Sequence, residues 1–229
     1  KEEINFLNSK CKMISSCNDI IPFTELKNDN SNIYRNDFSE KTFFRTIGTN
    51  IIGVDEELDI FLNKLLSISE IKKILENFTG KNYILNNLTM RYADKNSKFV
   101  GWHQDDPNAF SLTILLNKID DETATTAFIE GSHKFRYKFG KSLEKLNPRH
   151  FNRMSHKATG NEGEIYFFSN ATVHGVDIGK ASTVIICCFL PETYNNRKLN
   201  FPAKTLYDIS YKIALNNELG RLCGLKSEV

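Results

Sequence analysis

The residues of this chain whose types and spacing suit redox chemistry are Trp102-His103-Gln104-Asp105 and, far downstream, His174 in the segment Ala171-Thr-Val-His174-Gly175. Two imidazoles and one carboxylate can cap one face of an octahedral metal ion and leave the opposite positions open. That donor set suits non-haem Fe(II) that activates oxygen. Successive side chains on a strand point to opposite faces, so His103 and Asp105, two apart, point the same way. His174 must then arrive from another strand across the fold. An H-x-D pair alone is commonly a surface pair. Here it closes an apolar run with Trp102, and His174 follows Gly163-Glu-Ile-Tyr-Phe-Phe168. That context marks His103, Asp105 and His174 as metal ligands and as the catalytic set.

Short apolar segments are available to position these ligands. Tyr83 to Tyr92, Phe99 to Gln104, Phe110 to Leu116, Thr125 to Glu130, Glu164 to Phe168, Ala171 to Val176 and Ser182 to Leu190 are rich in β-branched or aromatic residues. Turn formers separate them, as in Asp106-Pro-Asn and Gly160-Asn-Glu-Gly. Short strands at such spacing predict a sandwich or barrel. Before them, residues 1 to 50 show no clear periodicity and read as irregular. Residues 55 to 79 read as helical. Ser67 and Glu70 form a capping-box pattern, Ile71, Ile74, Leu75 and Phe78 recur at helical spacing, and Gly80 is the stop. Residues 141 to 157 read as a polar excursion between strands and 204 to 222 as a closing helix. The expected organisation is a single domain over 1–229: an irregular and helical cover (1–80), a β core (81–191) and a helical extension (192–229).

Bulk composition narrows the partners. The chain has 229 residues, 40% hydrophobic and 25% charged, and a net charge of +2. These are ordinary values for a globular protein with one sizeable core. So small a charge gives no global field for nucleic acid or an anionic membrane. The basic cluster from Lys134 to Lys141 reads as a solvated loop. No apolar run reaches the roughly 18 residues that span a bilayer. Five cysteines, Cys11, Cys17, Cys187, Cys188 and Cys223, are odd in number and irregular in spacing. They read as reduced, buried thiols of a cytoplasmic protein. The expected partner is a small-molecule substrate, with neither nucleic acid nor membrane.

Several motifs together resemble the phytanoyl-CoA dioxygenase family of Fe(II)/2-oxoglutarate oxygenases. They are Trp102-His-Gln-Asp105, Ser111-Leu-Thr-Ile-Leu-Leu116, Glu130-Gly-Ser-His-Lys134 and Gly163-Glu-Ile-Tyr-Phe-Phe168 before His174-Gly175. The Gly-Ser-His segment favours this family over prolyl hydroxylases. The resemblance covers residues 82 to 191. It implies a mainly β fold with flanking helices, a double-stranded β-helix of the jelly-roll type. It also implies His103, Asp105 and His174 as iron ligands, with Fe(II), 2-oxoglutarate and O2 as cofactor and cosubstrates. The implied reaction is hydroxylation of an unactivated C–H bond. Asp105 argues against a halogenase, whose relatives lose the carboxylate to make room for chloride.

2-Oxoglutarate chelates a metal through its keto-acid end, and its far carboxylate needs a cation and a hydroxyl. The family usually supplies an arginine about ten residues beyond the second histidine. This chain has none before Arg197, which is too remote. Lys180 is the first candidate, as a point charge in place of a bidentate fork. Thr113 matches the position of a hydroxyl that helps hold the same carboxylate. Arg91, on the strand before H-x-D, can bind the cosubstrate or an acidic substrate. Of the other histidines, His133 reads as a structural hydrogen-bonding residue, and His150 and His156 as exposed. Asp106 reads as a turn residue before Pro107, and Trp102 as core. Two rivals stand beside the oxygenase. One is a jelly roll that binds a metal such as zinc for hydrolase or isomerase chemistry. The other is a non-catalytic, ligand-binding β-sandwich.

Overall fold

A computed structural model of the chain describes residues 1–16, 49–51, 55–80, 82–95, 100–135 and 153–193. Among the described residues, three helices precede the main strands: α1 (Glu2–Ser16), α2 (Glu56–Leu66) and α3 (Ser69–Thr79). Helix α1 corrects the expectation that the N-terminal 50 residues are irregular. Its sequence is crowded with Asn, Lys and Ser, yet Leu7 and Cys11 lie one turn apart and are both buried. Asn8 docks the helix by donating to the Leu116 carbonyl at 2.9 Å, and Lys10 pairs with Asp55 and Glu57 at 3.0 and 2.6 Å. Residues 17–48, most of the 141–157 excursion, the 204–222 helix, His150 and Arg197 lie outside the described residues.

The helical stretch expected over 55–79 is two helices. Asp55 caps α2 by accepting from the Leu58 N–H at 2.8 Å. The capping box expected of Ser67 and Glu70 does not form, because Ser67 already ends α2. Its hydroxyl donates to the Asn63 carbonyl at 2.7 Å, and Ile68 takes the N-cap position of α3. Gly80 ends α3 with φ 88°, as its type suggested.

The main strands fall where the short β-branched and aromatic segments predicted, with ends shifted by a few residues. They are β2 (Tyr83–Ala93), β3 (Val100–His103), β4 (Phe110–Leu115), β5 (Thr126–Ile129), β7 (Ile165–Ser169), β8 (His174–Val176) and β9 (Ser182–Pro191). Two short strands carry no such signal, β1 (Thr49–Asn50) and β6 (Ser155–Lys157). Among the described residues the strands form two antiparallel sheets. One has the order β1-β2-β9-β4-β7 and the other β3-β8-β5-β6. The fold is mainly β with flanking helices, a double-stranded β-helix of the jelly-roll type.

One face of the five-stranded sheet packs on the helices. Leu58, Leu62, Leu66, Ile71 and Leu75 meet Met90, Leu112, Ile114, Ile185, Cys187 and Phe189, all buried. Each such side chain contributes about 1.5–3 kcal/mol on burial. The opposite face turns toward the four-stranded sheet and carries Ser111, Thr113, Tyr166, Phe168, Val184, Ile186 and Cys188 by alternation.

Strand β2 changes sides part-way. Its pairing with β9 slips between Leu85 and Asn87, so Leu85 opposes Phe189 while Leu88 opposes Cys187. Both partners face the helices, so before the slip odd-numbered residues point outward, and after it even-numbered ones do. A one-residue bulge reverses the facing of everything that follows. Thr89, Arg91 and Ala93 therefore point into the barrel, opposite Ile186, Val184 and Ser182.

Candidate metal centre

Strands β3 and β8 are antiparallel neighbours that set His103 directly opposite His174. Their rings lie 4.3 Å apart, centre to centre. Asp105 reaches both: its Oδ1 is 3.8 Å from His103 Nε2 and its Oδ2 is 3.6 Å from His174 Nε2. These separations exceed a hydrogen bond. Two donors that each sit about 2.1 Å from one ion stand at most about 4.2 Å apart. Both separations fit a shared ion, and donor atoms of all three residues lie within 4.8 Å of one another.

The two imidazoles are held alike. His103 Nδ1 donates to the Gly101 carbonyl at 2.6 Å and His174 Nδ1 to the Thr172 carbonyl at 2.8 Å. A carbonyl only accepts, so each Nδ1 carries the proton and each Nε2 keeps its lone pair for a metal. Burial, reinforced by the nearby His174, pushes the His103 pKa below its ordinary 6.5; Asp105 and the Gly101 carbonyl oppose this. The neutral ring is the form a metal needs. The Asp105 side chain is 51% exposed against 8% for His174, so the carboxylate marks the open side of the centre.

A buried serine ties the two ligand segments together. After β5 the chain turns at Gly131, whose φ of 73° is left-handed and costs a glycine little. The turn drops Ser132 inward. Its hydroxyl donates to the Ile129 carbonyl at 2.6 Å and accepts the Val173 N–H at 2.7 Å. Val173 immediately precedes His174. On the other side, the amide of Gln104, between His103 and Asp105, donates to the carbonyls of Ser132, Phe135 and Ala171. The hydrogen-bonding role expected of His133 thus belongs to Ser132, while His133 is exposed. Asn170 is a second bracket. Its carbonyl accepts the Asp105 N–H at 2.9 Å, and its side chain engages Ser111 at 2.7 Å and the Cys188 thiol. Burial pushes the pKa of that thiol up to about 12.

The other positions singled out in the sequence fall as follows. Trp102 is core, packed with Ala127, Ile129 and Val173. Asp106 accepts from the Asn108 N–H at 2.9 Å and is a turn residue. His156 is exposed on β6. Cys11 and Cys188 are free thiols, and Cys17 and Cys223 lie outside the described residues.

The three cosubstrate candidates separate. Lys180 does not reach the interior; it is exposed and its ammonium pairs with Glu122. The cause lies in the backbone. Lys180 N–H donates to the Glu122 carbonyl at 2.7 Å and its carbonyl accepts from Ala124 at 2.8 Å. Gly179 lies so close to this segment that a Cβ would meet the Glu122 carbonyl oxygen at 2.3 Å. Thr113 faces inward on β4, and its hydroxyl is buried without a partner. Arg91 is 5% exposed, inside the barrel. Its Nη2 donates to Thr126 Oγ1 at 2.9 Å, an oxygen that Tyr166 also meets at 3.3 Å, while its Nε has no partner. Sequence reasoning missed Ser132, Asn170, Thr126 and Tyr166 as parts of the site. Two signals were present: alternation from Phe168 marks Tyr166 as sharing its face, and Ser132 lies within the Gly-Ser-His segment.

No family model matches the chain, and no curated protein matches it by sequence. Solved structures do match. EctD from S. alaskensis, crystallised with 2-oxoglutarate and 5-hydroxyectoine, superposes with a TM-score of 0.62 at 14% identity, covering 86% of this chain and 70% of EctD. Its apo form gives 0.62 at 15% identity, covering 88% and 72%. EvdMO1 gives 0.48 at 17% identity, and the match covers 57% of this chain and only 32% of EvdMO1. At these identities the EctD likeness shows the fold.

Proposed function

We propose that this chain is an Fe(II)- and 2-oxoglutarate-dependent oxygenase of the phytanoyl-CoA dioxygenase type that hydroxylates an unactivated C–H bond of a small molecule. The observation that carries the proposal is the convergence of two Nε2 atoms and one carboxylate, with both Nδ1 atoms tied to backbone, inside a jelly roll. EctD, whose fold this chain shares, was solved with 2-oxoglutarate, which supports the same cosubstrate here. Iron held by the three residues would supply oxygen activation, with one atom of O2 going to the substrate carbon and the other to succinate, formed with CO2 from 2-oxoglutarate.

His103 and His174 are the neutral ligands and Asp105 the anionic one. Asp105 lies toward solvent, so substrate approaches from its side. Behind His174, Phe168 at 5.2 Å and Phe128 at 6.3 Å form an aromatic wall that keeps water from the inner side of the centre.

The test is anaerobic addition of Fe(II) and then 2-oxoglutarate, followed by admission of O2 with a panel of small molecules. The proposal expects a metal-to-ligand charge-transfer band before O2 and substrate-stimulated succinate release after it. Strict zinc occupancy with no 2-oxoglutarate binding would instead favour the hydrolase or isomerase reading.

A further inference from the structure

We infer that Arg91 is the anchor for the far carboxylate of a dicarboxylic 2-oxo acid, with the hydroxyls of Thr113 and Tyr166 completing the grip. The inference rests on the reading of the triad as a 2-oxo-acid-dependent iron site.

Three observations carry it. First, Arg91 is a buried guanidinium that no carboxylate reaches among the described residues, and its Nε has no acceptor. Buried charges in folded proteins are ordinarily paired, so a permanently charged group left open points to an incoming anion. Second, the nearby hydroxyls match. Thr113 and Tyr166 are directly opposed across β4 and β7, Tyr166 and Arg91 share Thr126 Oγ1, and the buried Thr113 hydroxyl is itself unpartnered. Ser182, two residues from Val184 on the same inward face, has a second buried and unpartnered hydroxyl.

Third, the depth is right. Phe128 opposes His174, and Thr126, which holds the guanidinium, lies two residues further along β5. Two strand residues advance about 6.7 Å. The terminal carbons of a five-carbon diacid are about 5 Å apart, from four C–C bonds of about 1.5 Å. A chelating end at the triad therefore puts its far carboxylate beside Arg91. The β2 bulge is the device that achieves this. Without it Arg91 would share the face of Leu85, against the helices.

The experiment compares wild type with Arg91→Gln, Arg91→Lys and Thr113→Val. Three probes separate the ends of the ligand. 2-Oxoglutarate has both, 2-oxobutyrate has only the chelating end, and glutarate has both carboxylates but cannot chelate through a keto group. Affinities of the first two are read from the anaerobic Fe(II) charge-transfer band, and glutarate from the melting temperature of metal-free protein.

A hydrogen bond to a charged group is worth about 10- to 150-fold in affinity. Arg91→Gln is expected to lose about that much for 2-oxoglutarate and nothing for 2-oxobutyrate, with Arg91→Lys recovering part. Thr113→Val loses about 2- to 12-fold, one neutral hydrogen bond. Glutarate raises the melting temperature of wild type and not of Arg91→Gln. Undiminished preference for 2-oxoglutarate in Arg91→Gln overturns the inference and leaves the iron reading standing. Equal losses for both oxo acids also overturn it, because Arg91 then supports the scaffold and not the far carboxylate. If no band forms with either acid in wild type, the iron reading fails, and the glutarate arm still decides whether Arg91 holds a carboxylate.

Discussion

Replacing Ser132 by alanine tests how the fold positions its second histidine. The hydroxyl is buried and makes two hydrogen bonds, at 2.6 Å to Ile129 and 2.7 Å from Val173. Alanine removes both and leaves the buried Val173 N–H with no acceptor. An orphaned buried donor costs about 1–3 kcal/mol, and the lost Ile129 bond adds about 1. The expected total is about 2–4 kcal/mol, or roughly 5–15 °C in melting temperature for a chain of this size. Val173 adjoins His174, so the metal is affected too. Loss of supporting hydrogen bonds around metal ligands typically lowers affinity about 10–100-fold. Urea unfolding of metal-free protein measures the first quantity, and Mn(II) titration followed by electron paramagnetic resonance the second. Ser132→Thr keeps the hydroxyl and is expected to retain most of both. Alanine protein with reduced stability and unchanged Mn(II) affinity would refute the reasoning, since the serine would then hold the fold and not the ligand.

Three further outcomes are expected. Arg91→Met should raise the melting temperature of ligand-free protein by a few degrees, because the desolvation of an unpaired charge outweighs its single bond to Thr126; calorimetry showing a marked fall would mean that the guanidinium holds the barrel together. The depressed pKa of His103 makes stability depend on pH. Between that value and 6.5 the unfolded chain binds more protons than the native one, so stability of metal-free protein falls as pH drops below about 6.5 through the native value. His103→Gln should flatten this part of the urea-midpoint profile, and an unchanged slope would contradict it. Gly179→Ala forces a Cβ to within 2.3 Å of the Glu122 carbonyl oxygen and should cost about 1–3 kcal/mol by displacing one of the two segments, read by thermal unfolding.

The legible parts of this protein are those written in local period and type. Runs of β-branched and aromatic residues between turn formers placed the seven main strands, and the two-residue step from His103 to Asp105 put both side chains on one face. His174 was found because an apolar strand led up to it. The illegible parts depend on contacts between distant segments. Lys180 lies suitably far along the chain, but Gly179 packs on the Glu122–Ala124 backbone and holds the lysine at the surface. Arg91 was visible as a cation near the site, yet its facing depends on a bulge, and nothing in Leu85 to Asn87 announces where β9 lets the register slip. Helix α1 was hidden because only Leu7 and Cys11 mark its deeply buried side within a polar sequence. Ser132 was seen within a motif, but only the turn at Gly131 shows that the serine, and not His133, does the bonding.

The most direct measurement of the metal-centre claim is anaerobic Fe(II) titration of wild type and of His103→Ala, Asp105→Ala and His174→Ala. One ion per chain in wild type, with affinity lowered by orders of magnitude in each variant whose fold remains intact by circular dichroism, is the predicted result. Binding that survives removal of His174, or a folded wild type that takes up no Fe(II), would contradict it.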